Sequence, residues 1–184
     1  QRHLTIPCEM CIRDSHLAVQ FRNGAVHKYN LDEQKSFKLI NEFKFVQPCV
    51  NFALISINEN DDEVYLGLTQ FYRLYANGNE LSNNCNSFSV HDEYLLLTDH
   101  TNTLKFVRLD KLKSSSGVKL LEEASRSIER GGRLVLSIRS DTTCILQMPR
   151  GNLEAINPRT LLISQLKKLF DHAQYLRAVE IMRK

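Results

Sequence analysis

Apolar and polar residues alternate along this chain in short runs broken by polar turns, until the period changes near its end. In the run SHLAVQFRNGAVHKYNL, residues 15–31, Leu17, Val19 and Phe21 alternate ahead of Asn23-Gly24, and Ala25, His27 and Tyr29 alternate after it. Both turn residues tolerate positive φ, so the run predicts a β-hairpin. Residues 32–38 are polar and read as a connection; Phe43, Phe45 and Val46 then lead to Pro48, whose ring would block a central ladder position. Residues 50–57 are the next predicted strand. Residues 58–63, NENDDE, form an acidic turn that lacks the glycine and the distant glutamate of a calcium loop. Strands follow at 64–69, 71–75, 88–90, 94–98 and 103–109, with Ala76-Asn77-Gly78-Asn79 and Asp99-His100-Thr101-Asn102 as turns.

Four segments share one form: LAVQFRNGAVHKY, YLGLTQFYRLYANG, LLLTDHTNTLKFVRL and CILQMPRGNLEAI. They begin at Leu17, Tyr65, Leu95 and Cys144, with spacings of about 30 to 50 residues, which bracket the period of a propeller blade. Internal similarity of this kind predicts a mainly-β chain with the blades of a β-propeller. A β-sandwich is the alternative on pattern alone. With no Trp in the chain, the Trp-Asp dipeptide of regular WD40 blades is missing. Propellers close with about four to eight blades of four strands each, and these four units are not read as a closed ring, so blades from an earlier stretch are expected. Between the third and fourth units, residues 113–117 (KSSSG) read as a surface excursion and residues 118–132 (VKLLEEASRSIERGG) as holding a short helix; the strand pattern resumes at 133–138.

The period changes inside residues 144–182. Alternation around Pro149-Arg150-Gly151-Asn152 predicts two paired strands on a tight turn, with Leu146 and Leu153 pointing into a blade core and Arg150 reaching outward. Asn157 and Pro158 then read as a helix N-cap and a first-turn proline, after which Leu161, Leu162, Leu166, Leu169 and Phe170 recur at helical spacing. Residues 171–174 break the pattern, and Tyr175, Leu176, Val179 and Met182 would line one face of a second helix. The expected organisation is therefore residues 1–157 as C-terminal propeller blades and residues 158–184 as the start of a TPR-like α-solenoid, whose first hairpin needs further helices to cover it.

Composition adds limits. At 184 residues, 42% hydrophobic and 24% charged, the chain can bury a core. No apolar run has the length of a membrane span and no signal peptide is visible, so a soluble, cytoplasmic chain is expected, with the nucleus as a second compartment. It starts at Gln1 rather than Met and stops at Lys184 inside a helical pattern, which suggests a piece of something longer. The net charge of +3 is unevenly spread: from Arg126 onward 11 Lys and Arg face five acids. RNA or an acidic partner would suit that third, although solvated helix faces carry similar runs.

Candidate chemistry is sparse. The five cysteines do not pattern as a disulfide framework, and Cys8 and Cys11, with His16 and His27 downstream, form only half of a zinc site or a redox pair. No G-x-S-x-G, phosphate loop or H-E-x-x-H occurs. Asp14-Ser15-His16 are immediate neighbours and cannot converge as a triad, while His91-Asp92-Glu93 and Asp99-His100 sit at predicted turns. No catalytic, cofactor-binding or metal-binding residue is therefore singled out, and no enzymatic activity is expected.

The stretches VYLGLT (64–69), NSFSVHDEYLLLTDHTNTLKFVRL (86–109), SIERGGRLV (127–135) and, above all, QMPRGNLE (147–154) with the helical tail to Lys184 resemble the largest subunit of the Elongator complex, the IKAP family. The resemblance runs from about Glu63 to the end and is strongest over residues 146–184. It implies two WD40-like propellers followed by a long α-solenoid, with this chain at the end of the second propeller. It also implies a non-catalytic scaffold supporting 5-carboxymethyl-type modification of tRNA wobble uridines. Acetyl-CoA, S-adenosylmethionine and an iron-sulfur cluster would belong to a separate radical-type acetyltransferase subunit. That subunit and a second WD40 protein would be the partners, with homodimerisation and tRNA contact through distal regions and no membrane. Two other classes share parts of this pattern: a propeller-solenoid subunit of a membrane coat or transport complex, and a direct RNA-binding module.

Overall fold

Alternating runs need hydrogen-bonded neighbours, and the computed structural model, which describes residues 9–13, 16–31, 36–56, 63–113, 124–138 and 141–183, supplies them in four antiparallel sheets. The first holds β1 (Glu9–Arg13), β2 (His16–Gln20), β3 (Ala25–Leu31) and β4 (Phe37–Lys44). The second holds β5 (Cys49–Ser56), β6 (Glu63–Thr69), β7 (Leu74–Ala76) and β8 (Asn79–Ser82). In the third, β9 (Cys85–Val90), β10 (Tyr94–Asp99), β11 (Thr103–Arg108) and β12 (Ala124–Ser127) follow one another, with a 3₁₀ turn at Leu109–Lys113. The fourth has β13 (Arg133–Ser137), β14 (Cys144–Gln147) and β15 (Leu153–Ile156); α1 (Arg159–Asp171) and α2 (Tyr175–Met182) come after it. Each sheet is a meander in which sequence neighbours pair, the form of a propeller blade. The chain divides into two units, residues 1–85 with 112–120, and residues 86–111 with 121–184.

In the first unit the core gathers Ala18, Val26, Phe45, Cys49, Phe52 and Tyr65. The alternation that predicts the first hairpin marks its less buried face: Leu17 and Val19 are half-buried, whereas Ala18, Gln20 and Val26 are buried. Gln20 is inside because its amide answers both backbone groups of Cys49, donating to the carbonyl at 2.7 Å and accepting from the N–H at 3.0 Å. Phe43 stacks on Tyr65 with ring centroids 4.7 Å apart, and the Asn41 amide reaches the Tyr65 hydroxyl. Gly67 sits where backbone must pass close, since a Cβ there would run into the Cys49 sulfur and lie 2.7 Å from the Phe45 ring. The predicted connection over 32–38 is cut short: Phe37 already belongs to β4, and the register shift between Lys28 and Tyr29 scrambles the alternation that would have announced that strand. The strand expected over 71–75 starts only at Leu74, because Tyr72 adopts φ 63 and its N–H bonds back to the Thr69 carbonyl.

The second unit packs Tyr94, Leu96, Leu104, Phe106, Leu134, Cys144, Leu146 and Met148 together with Leu161 from α1. The turn between β10 and β11 is tied by buried Asp99, whose Oδ1 accepts from the Thr101 N–H (3.0 Å), the Thr101 hydroxyl (2.6 Å) and the Thr103 N–H (3.1 Å). Lys105 pairs with its other oxygen at 3.1 Å. Burial works to raise this carboxyl, but the Thr101 and Lys105 bonds outweigh it and hold Asp99 below the usual carboxylate range. Ser87 and Ser89 join β9 to β13, accepting from the backbone N–H groups of Leu134 (2.7 Å) and Ser137 (2.9 Å).

Two expectations fail here, and a third is covered only in part. Of residues 118–132, those from 124 to 127 form a strand, β12, and those from 128 to 132 contain no helix; residues 118–123 of that expectation lie outside the described residues. Pairing with β11, from Thr103↔Ser127 to Phe106↔Ala124, overrides any helical tendency of so short a segment. Leu153 is 64% exposed. The turn is as predicted, with Met148 N–H bonded to the Asn152 carbonyl at 2.9 Å and Gly151 at φ +88, but its length pairs Leu146 with Glu154 and Leu153 with Gln147. Leu146 is therefore buried and Leu153 turns to the opposite face. Finally, Asn157 does not cap α1. Pro158 holds the N-cap position without a side-chain bond, while the Asn157 amide oxygen accepts from the Thr142 (2.9 Å) and Thr143 (3.0 Å) hydroxyls.

Candidate interaction surface

The helix that follows the last strand is held by more than its Leu161 anchor. Glu93, between β9 and β10, receives the Ser164 hydroxyl at 2.7 Å and the Lys168 ammonium at 3.1 Å, and its backbone carbonyl accepts the Leu109 N–H at 2.9 Å. Lys168 also stands 3.9 Å from Asp92. Residues 164 and 168 are one turn apart, so a single carboxylate grips one face of α1. Partial burial alone would raise the Glu93 carboxyl; the Ser164 hydroxyl, Lys168 and Arg108 together outweigh that and keep it below the usual glutamate range.

Beside this grip lies a groove of about 570 Å³ between α1 and strands β10–β12, lined among others by Arg108, Ser125, Arg159, Thr160, Ile163 and Lys167. The groove is mixed in character: Arg108 is paired with Asp110 at 2.8 Å, and Glu93 and Asp171 contribute negative charge. The apolar stripe expected on α2 points outward. Only Ala178 is buried on that helix, whereas Tyr175, Leu176, Val179 and Met182 are exposed, Leu176 at 84%. On α1, Leu161 and Leu169 are buried and Phe170 is exposed beside Tyr175, ring centroids 6.0 Å apart. The helical pair thus presents a continuous apolar face made of Phe170, Tyr175, Leu176, Val179 and Met182.

The residues weighed for chemistry fall into structural roles or outside view. Cys8, Asp14, Ser15 and Lys184 lie outside the described residues, as does the Cys11 side chain. His27 touches the Tyr29 hydroxyl at 3.2 Å and the Phe21 ring, and His91 Nε2 lies 2.8 Å from the Asp141 carbonyl. Cys49, Cys85 and Cys144 are buried and in the thiol form; burial pushes the thiols of Cys49 and Cys144 up to about 12, far from reactivity. Among the described residues no group of three His, Cys, Asp or Glu side chains could hold a metal ion. Arg150 reaches outward, with Glu129 3.9 Å away. Sequence reasoning missed Glu93 and Ser164, which are 71 positions apart; HDE read simply as a polar turn.

Repeated strand meanders followed by a helical pair define a β-propeller protein. Residues 5–135 match the family described as the ELP1 N-terminal second beta-propeller, and the chain belongs to that family. Elongator complex protein 1 of Oryctolagus cuniculus is 40% identical over 91% of this chain and 13% of that protein. The mouse protein of the same name (Mus musculus) is 36% identical over 95% and 14%, and that of Schizosaccharomyces pombe 35% over 91% and 14%. The chain therefore spans only 13% to 14% of the length of these relatives. Among solved structures, the Neurospora crassa Pan2 WD40 domain superposes with a TM-score of 0.54 at 11% identity, covering 87% of this chain and 49% of that one. The computationally designed Ika4 protein gives 0.52 at 8%, covering 85% and 94%. At such identities the likeness concerns the fold alone, and it favours the propeller over the sandwich.

Proposed function

We propose that this chain is a non-catalytic, load-transmitting part of an Elongator scaffold subunit: the end of a propeller rigidly joined to the first helices of a solenoid. Its task is to hold partner subunits in register so that wobble uridines of tRNA receive 5-carboxymethyl-type modification. The reaction itself belongs to a separate radical-type acetyltransferase subunit, with a second WD40 protein as a further partner and the cytoplasm as the place of work. The family match over residues 5–135 carries this reading, and the direct seating of α1 on the blade through Leu161 and Glu93 supports it. Such a joint transmits position, as a scaffold must.

The test replaces the full-length subunit in cells with a version carrying Leu176→Asp and Val179→Asp, both on exposed helix surface, so the propeller is left intact. Copurification of the acetyltransferase subunit and the level of 5-carboxymethyl-type uridine, read by mass spectrometry of tRNA, should both drop several-fold. If the wild-type protein fractionates with vesicle-coat components and not with that subunit, the coat or transport reading replaces this one.

A further inference from the structure

Successive turns of α1 carry two adjacent rows of side chains, one used by the blade and one open. Thr160, Ser164 and Lys168 form the first; they are half-buried, and Glu93 takes Ser164 and Lys168. Arg159, Ile163, Lys167 and Asp171 form the second, all four exposed and all four lining the groove of about 570 Å³. Other charges around the groove are answered within the protein: Lys168 by Glu93 and Asp92, and Arg108 by Asp110. Among the described residues, Arg159, Lys167 and Asp171 have no ion-pair partner. The open row therefore reads positive, apolar, positive, negative.

Steps of four residues lie about 6.7 Å apart along such a ridge, which is inclined about 26° to the helix axis. Alternate residues of an extended chain share one face and are also about 6.7 Å apart. An extended segment laid along the ridge thus sets each side chain of one face against one residue of α1.

We propose that this ridge docks an extended acidic segment of a partner protein whose alternate residues read acid, apolar, acid, base. The acids meet Arg159 and Lys167, the apolar side chain covers Ile163, which is 42% exposed, and the base meets Asp171. RNA fits less well. A phosphate chain would meet Ile163 between the two cations and Asp171 beyond them, and Tyr94, the aromatic residue among the described lining, is buried and offers no ring for base stacking.

The probe is an end-capped, fluorescein-labelled peptide, Gly-Asp-Ser-Leu-Ser-Asp-Ser-Lys-Gly, used also in reversed order because the ridge sets the sequence of charges but not the chain direction. At least one of the two should bind the full-length protein in fluorescence anisotropy, and Arg159→Glu or Lys167→Glu should each weaken that binding about tenfold or more. The double variant should instead prefer the peptide with Lys in place of both Asp, a gain that a merely damaged helix would not give. Binding by neither peptide, equal binding of a scrambled peptide of the same composition, or no charge-swap preference overturns the proposal. So does an oligouridylate that binds more tightly than the peptides and loses affinity in the same two variants. Peptide binding needs no other subunit, so its failure would leave the Elongator reading standing, and loss of that reading would leave the peptide result standing.

Discussion

Gln20 shows how a single side chain can depend on a partner the local sequence does not reveal. It lies in a strand where alternation would send a polar residue to solvent, yet it is fully buried and satisfies both the N–H and the carbonyl of Cys49, 29 positions away. Gln20→Leu keeps the volume close and removes the amide, so two buried backbone groups lose their partner. Each such loss costs about 1–3 kcal/mol, so the variant should be about 2–6 kcal/mol less stable in urea titration, whereas an apolar core position would have tolerated the change. A gain in stability would mean that water replaces the amide. Leu153 is the opposite case: an apolar residue placed outside, by the length of the turn before it. Alternation was readable in the sequence at both positions, but the face that each parity occupies was not, because burial depends on which sheet packs where.

At the scale of elements, strands and turns were the most legible, since Asn23-Gly24, Ala76-Asn77-Gly78-Asn79 and Pro149-Arg150-Gly151-Asn152 all announce reversals. β4 and β12 were missed, one hidden by a register shift and one set by pairing with β11 across an intervening segment. The two helices were visible from their period, but what fastens α1 was not, because Glu93 precedes Ser164 by 71 residues and no local spacing records that contact. Its energetics are open to titration. The Glu93 carboxyl is held below its ordinary range when folded, so its contribution is complete above about pH 4.3, the unfolded value, and fades as pH falls through the depressed folded one. Protection of α1 amides in hydrogen exchange should decline over that acid window. Glu93→Gln should remove this pH dependence and, the group being partly exposed and screened, cost only about 0.5 kcal/mol at neutral pH. An unchanged pH profile in Glu93→Gln would show that another carboxylate holds the helix.

For the whole molecule, the two units each carry their own core and, usefully, their own buried thiol: Cys49 in the first and Cys144 in the second. Burial raises both thiols to about 12, so at pH 8 almost no thiolate forms and neither should react with a disulfide reagent until its surroundings open. Labelling across a urea series followed by peptide mass spectrometry then reads each core through one sulfur. Gly67→Ala forces a methyl against the Cys49 sulfur and the Phe45 ring, an overpacking worth about 1–3 kcal/mol, and should make Cys49 reactive at lower urea. Leu146→Ala opens a cavity beside Cys144, costs about 2–5 kcal/mol, and should bring Cys144 labelling to lower urea in the same way. Reaction of either thiol in the unperturbed protein without denaturant would mean that its core opens readily.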